Sequence, residues 1–205
     1  MKNVIFLFCL LMAWAPVGMS ADAAAGKSAS VACSACHGAD GNSSVPTFPN
    51  LAGQGEVYLL KQLKDIRDGA RSVPTMAGQL PGKSDEDLAN LAAFYASQPR
   101  AGGKANPDLV KLGQKVFRAG IADRDIPACS ACHSPNGLGN APAGFPSLAG
   151  QHAEYTATQL TMYRKGYEDE TGRTNDGDAK IMRTIAFSLS DKEIEAVSSY
   201  IAGLK

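Results

Sequence analysis

The pentapeptide CSACH stands at 33–37 and again, letter for letter, at 129–133. An internal repeat means that one folding unit is built twice and that each copy must solve the same packing problem. The neighbouring sequence repeats with it. FPNLAGQ at 48–54 returns as FPSLAGQ at 145–151, Tyr58 and Gln62 as Tyr155 and Gln159, and Gly69 as Gly166. Ser84 opens SDEDLANLAAFY and Ser190 opens SDKEIEAVSSY, with Met76 and Met182 each eight residues ahead of its serine. The register slips by one residue after the first motif and by nine more between Gly166 and Met182, so the insertions are local. QPRAGGKANP at 98–107, rich in Pro and Gly, reads as the linker.

Both copies read as helical. Leu59, Leu63 and Ile66 recur at helical spacing, as do Leu88, Leu91, Ala92 and Tyr95. Ser84 with Asp87 and Ser190 with Glu193 mark helix starts, the second as a full capping box. Asn106 and Pro107 give an N-cap and first-turn proline for a helix through Arg118. Runs of alternating β-branched residues are missing, so the expected class is all-α. Long Gly/Pro/Ser loops between the helices need something to pack on. With only 7% aromatic residues, two small cores call for a staple such as disulfides, a metal or a cofactor.

Residues 1–21 read as a signal peptide that is removed. Lys2 precedes the apolar run VIFLFCLLMAWA at 4–15, Pro16 and Gly18 break it, and small residues follow at Ser20, Ala21 and Ala23. The run is shorter than the roughly 20 apolar residues of a membrane span; a retained anchor is the alternative. The domains then cover 22–100 and 101–205, in a periplasmic protein. Cys9 leaves with the leader, and the four remaining cysteines all lie in the repeated motifs. Twenty basic and 20 acidic residues cancel, which gives no indication of nucleic acid or of a polybasic anchor.

Cys-x-x-Cys-His is the attachment pattern of c-type haem. Two thiols at this spacing reach the two vinyl groups of one porphyrin, and the adjacent histidine falls under the iron. Two disulfides would suit an exported chain but leave each histidine unexplained. A thioredoxin-like pair needs a βαβ setting, and a four-cysteine zinc site would have to join two distant repeats. Two covalently bound haems are therefore expected, on Cys33, Cys36 and His37 and on Cys129, Cys132 and His133. They would also supply the missing core.

Met76 and Met182 hold equivalent places, each expected in a loop ahead of a last helix, and are the candidate sixth ligands. A thioether stabilises ferrous iron and raises its potential. Met162 falls inside a helix and is assigned to core packing. His152 has no counterpart in the first copy and is assigned to the surface. With His and Met on each iron no position is open to substrate, so the chain is expected to carry electrons rather than act as an enzyme on a small molecule.

These residues resemble the dihaem cytochromes c of the c4 type, built from two class I cytochrome c domains. The likeness runs through CSACH, PNLAGQ and PSLAGQ, and the methionine segment before SDEDLANLAAFY. It implies a carrier loosely associated with the membrane, passing electrons from a membrane-bound donor toward a terminal oxidase. It also implies that the Pro49 and Pro146 carbonyls accept the Nδ1–H of His37 and His133. Gly113 and Phe117 opposite Tyr200 resemble the close crossing of first and last helices in this fold. Gly26 and Phe94 match them, but Ser30 fills the Phe117 slot, so a looser crossing is expected there. The tips of Tyr58, Gln62, Tyr155 and Gln159 are placed near haem or domain interface, with a plain core role for the tyrosines left open. Arg71 is a candidate to neutralise a propionate. The extra segment YEDETGRTNDGDAK at 167–180 reads as a surface loop that makes the two haem potentials unequal. A dihaem oxidoreductase of the peroxidase or thiosulfate-oxidising type, with one displaceable ligand, is the rival.

Overall fold

Asp22 accepts hydrogen bonds from the Ala24 and Ala25 N–H groups and so starts α1 (Ala23–Ala29). The structure is a computed structural model that describes residues 21–205; the leader read over 1–21 lies, Ala21 apart, outside the described residues. After a tight turn at Ser30–Cys33 come α2 (Ser34–His37), α3 (Glu56–Arg67) and α4 (Asp85–Ala96). The second copy supplies α5 (Pro107–Ala119), α6 (Ser130–His133), α7 (Ala153–Glu168), α8 (Ile181–Phe187) and α9 (Asp191–Ala202). No strand occurs among the described residues beyond the isolated bridges Ile121–Ile126 and Asn140–Phe145.

In each copy the first helix crosses the last, α1 on α4 and α5 on α9. Glycine makes the crossings possible. A Cβ on Gly113 would overlap the Ala196 carbonyl and crowd Tyr200, and one on Gly26 would overlap the Asn90 carbonyl and crowd Phe94. The first crossing is therefore no looser than the second. Ser30 is buried, its hydroxyl donating to the Lys27 carbonyl at 2.8 Å, while Phe117 stacks tilted on Tyr200 with ring centroids 5.6 Å apart. Leu88, Leu91 and Phe94 centre one apolar core and Val116, Phe117 and Val197 the other, each side chain contributing about 1.5–3 kcal/mol by burial. Both last helices begin with a complete capping box, Ser84–Asp87 as well as Ser190–Glu193.

The segment 167–180 is not a surface loop throughout. Gly166 and Gly172 approach so closely that a Cβ on either would meet backbone. The Arg173 N–H donates to the Met162 carbonyl at 2.8 Å, and the Arg173 side chain is buried. Further on, Asp176 pairs with Arg183 at 2.5 Å and accepts its backbone N–H at 3.0 Å. That carboxylate caps α8, so Met182 lies in a helix rather than a loop. The capping residue comes from the inserted segment, which no local pattern reveals. Met162 is only half-buried and stands outside the second core, contrary to its assigned packing role.

Candidate functional site

Each CSACH ends in a single helical turn whose histidine is enclosed, with His37 7% and His133 6% exposed. His37 Nδ1–H donates to the Pro49 carbonyl at 3.0 Å and His133 Nδ1–H to the Pro146 carbonyl at 2.8 Å. A carbonyl only accepts, so the proton sits on Nδ1 and the Nε2 lone pair is free. Burial holds both rings below the ordinary histidine pKa, and the carbonyls pull back only in part. Neutral imidazoles with an open Nε2 are metal-competent. Phe48 and Phe145, one residue before each proline, lie with ring centroids 6.2 Å from the histidine rings. They went unassigned in the sequence, although the repeated FP pair carried them.

No disulfide joins Cys33, Cys36, Cys129 or Cys132. Burial pushes the Cys129 thiol up to about 11. Among the described residues no three His, Cys, Asp or Glu side chains gather as a metal site. Cys33 and Met76 pack against the same apolar core, Met76 from a tight turn at Pro74–Met76. Cys129 packs on the second core, whereas Met182 is half-buried in α8 outside it.

The two copies meet through polar side chains. Asn50 N–H donates to Gln151 Oε1 at 2.9 Å, and Gln151 Nε2 donates back to the Asn50 carbonyl at 2.9 Å. Gln54 and Ser147 exchange the same pair of bonds at 2.9 and 2.7 Å. His152 belongs here and not on the surface. It is half-buried, and its Nε2–H donates to the Ser43 carbonyl at 2.9 Å. A contact between copies explains why its role was hidden in a repeat comparison.

Tyr58, Gln62, Tyr155 and Gln159 also lie at this boundary. Arg71 donates to Gln62 at 2.9 Å, to Gln159 at 3.0 Å and to Tyr155 at 3.1 Å. Arg173 mirrors it, reaching Gln159 at 2.7 Å, Gln62 at 2.8 Å and Tyr58 at 3.3 Å. Arg173 is thus the second-copy counterpart of Arg71 that sequence alignment could not place. Among the described residues neither guanidinium has a carboxylate within hydrogen-bond distance. One buried cation, Arg173, and one half-buried, Arg71, with no protein carboxylate at hand fit a bound group that brings its own carboxylates. Haem does so, and the thiols, free Nε2 atoms and thioethers supply the matching donors.

The sequence profile of the Cytochrome c family matches residues 23–98 and 110–205. A cytochrome c4 from Pseudomonas aeruginosa is 57% identical over 183 residues, 89% of this chain and 89% of that protein. One from Stutzerimonas stutzeri is 52% identical over 210 aligned positions, covering 97% of this chain and 98% of that protein. The crystal structure of reduced recombinant cytochrome c4 from Pseudomonas stutzeri superposes with a TM-score of 0.86. It is 54% identical, over 90% of this chain and 100% of that one. The chain is an electron carrier that works with redox partners, not an enzyme. It belongs to the cytochrome c family, as a dihaem cytochrome of the c4 type with two tandem domains and two covalently bound haem c groups.

Proposed function

We propose that each domain, 22–100 and 101–205, holds its iron between an imidazole and a thioether, His37 with Met76 and His133 with Met182. Cys33 with Cys36 and Cys129 with Cys132 form the thioether attachments. The observation that carries this reading is the paired Nδ1–H bond to Pro49 and Pro146, which leaves each Nε2 as a neutral donor in the same setting twice. When bound, each haem exchanges one electron at its iron. The protein's part is to keep the rings in one tautomer, to exclude water, and to leave no coordination place for substrate. Arg71 and Arg173 offer positive charge to the haem carboxylates.

The carrier works in the periplasm, loosely at the membrane, between a membrane-bound donor and a terminal oxidase. No helix among the described residues is long and apolar enough to cross a bilayer. The nine-residue insertion within 167–180, present in one domain only, makes the two potentials unequal. The ferric holoprotein should show a sulfur-to-iron charge-transfer band integrating to two haems. Met76→Leu and Met182→Leu should each remove half of it. A high-spin haem in the unaltered protein defeats the ligand assignment, a single wave in a redox titration defeats the inequality, and stopped-flow oxidation by membrane oxidases at varied salt tests the partner.

A further inference from the structure

The peptide group joining Pro49 to Asn50 is hydrogen-bonded at both ends. Its carbonyl accepts His37 Nδ1–H at 3.0 Å, and its N–H donates to Gln151 Oε1 of the other domain at 2.9 Å. The peptide joining Pro146 to Ser147 repeats the arrangement with the domains exchanged. Its carbonyl accepts His133 Nδ1–H at 2.8 Å, and its N–H donates to Gln54 Oε1 at 2.7 Å. The glutamine amides have only one sensible orientation, because each Nε2 donates to the carbonyl of the same residue, Asn50 or Ser147, at 2.9 Å. Gln54 is 8% exposed and Gln151 7%, so water does not compete freely for these bonds.

Resonance ties the two ends of a peptide group together. A good acceptor at the N–H moves electron density toward the carbonyl oxygen and makes it a stronger acceptor in turn. A stronger acceptor at Nδ1–H makes an imidazole a stronger donor through Nε2. We infer that Gln151 tunes His37 and Gln54 tunes His133, each glutamine setting the donor strength of the histidine in the opposite domain. The inference rests on the reading that these histidines hold the irons. Stronger donation favours ferric iron, so a docked interface lowers each potential and separation of the domains raises it. By reciprocity, oxidation of either iron tightens the interface. The motif PxLAGQ thereby serves two roles: its proline carbonyl receives the local histidine and its glutamine reaches the distant one.

The test is Gln151→Met in the holoprotein, with a redox titration followed through the separate His37 and His133 Nδ1–H proton resonances. The expected result is a higher potential and a weaker Nδ1–H bond for the His37 domain, with the His133 domain unmoved. Gln54→Met gives the mirror image. Gln151→Glu retains an acceptor oxygen for the Asn50 N–H but loses the Nε2 bond to the Asn50 carbonyl, so the His37 domain should not rise in potential as it does in Gln151→Met, and it serves if the methionine variants fail to assemble. His152→Ala removes another bond across the same interface and touches neither peptide, so both potentials should hold. A shift in the variant's own domain, equal shifts in both, no shift, or a shift of the same size in His152→Ala overturns the inference. Absence of any iron-induced shift of the His37 proton in the unaltered protein defeats the ligand reading itself. A normally shifted proton that ignores Gln151→Met defeats only the cross-domain tuning.

Discussion

Arg71 and Arg173 reach across the boundary between the two domains to share the same pair of glutamines, Gln62 and Gln159. Each takes the glutamine of its own domain and the tyrosine of the other, so the clamp has approximate twofold symmetry. Arg71 follows α3 directly, whereas Arg173 arrives on the inserted segment, where Arg173 also binds Asn175 at 2.8 Å and lies over the Tyr163 ring at 4.4 Å. The insertion therefore completes an interface that the shorter first copy closes with fewer residues. Replacing Arg173 by Met strands buried polar groups and should destabilise the holoprotein by about 1–3 kcal/mol. The two arginine replacements together should cost less than their sum, because they share acceptors. Urea unfolding of the three variants checks both points; strict additivity would show that the arginines act separately.

What the sequence made legible follows from range. Helix periodicity, the Ser84 and Ser190 caps and the glycine at each crossing are local or repeated and read correctly from one line of text, whereas the tightness of the first crossing did not. The cysteines and histidines of CSACH also stood out, because the motif is dense in chemistry. The roles of Gln54, Gln151, His152 and Arg173 did not. Each depends on how one copy docks against the other; the glutamines repeat but their partners lie across the boundary, while His152 and Arg173 have no aligned counterpart to mark them. Arg173 was further hidden by the inserted residues, whose polar composition resembles that of a solvated loop although Gly166 and Gly172 pack it down.

The glycine crossings give a sharper stability prediction. An alanine at Gly113 would drive its methyl group into the Ala196 carbonyl, and one at Gly26 into that of Asn90. Backbone cannot rotate aside as a side chain can, so each variant should lose about 3 kcal/mol or more. Thermal unfolding of the holoprotein should show Gly26→Ala to be as damaging as Gly113→Ala. A mild effect at Gly26 alone would mean that the first crossing opens readily after all.

The residue after each haem-attachment motif adopts positive φ, as Gly38 at 78° in one copy and Ser134 at 65° in the other. With ψ at 157°, this is a region almost reserved for glycine, at a cost of about 1–3 kcal/mol for other residues. Ser134 recovers some of it by donating to Asn136 Oδ1 at 2.8 Å and accepting from the Leu138 N–H at 3.0 Å. Ser134→Gly should thus be stabilising by a small margin, about 1 kcal/mol. Gly38→Ser should be destabilising, since its Cβ would overlap the Asn42 carbonyl. The pair is measured by urea midpoints, and opposite signs are the expected outcome.

Acid should weaken both domains through the capping boxes. Asp87 lies below its ordinary value of 3.8 because the Ser84 backbone N–H, and then its hydroxyl, bond the carboxylate. Burial pushes Glu193 up from 4.5, but the Ser190 N–H and hydroxyl and the Arg124 guanidinium together outweigh it and leave the carboxyl lowered. A carboxyl that is more acidic in the folded chain binds its proton first in the unfolded one. Its stabilisation is complete above the ordinary value and drains away as pH falls through the lower folded value. Between about pH 6 and about pH 3 the unfolding midpoint should fall for this reason. Glu193→Gln keeps an acceptor for the Ser190 N–H but removes the titration, so it should lower stability at neutral pH and flatten the acid slope. An unchanged slope would place the acid sensitivity elsewhere, in Asp87 or in the Asp68 and Asp85 carboxyls, which Arg67 and Lys64 also hold low.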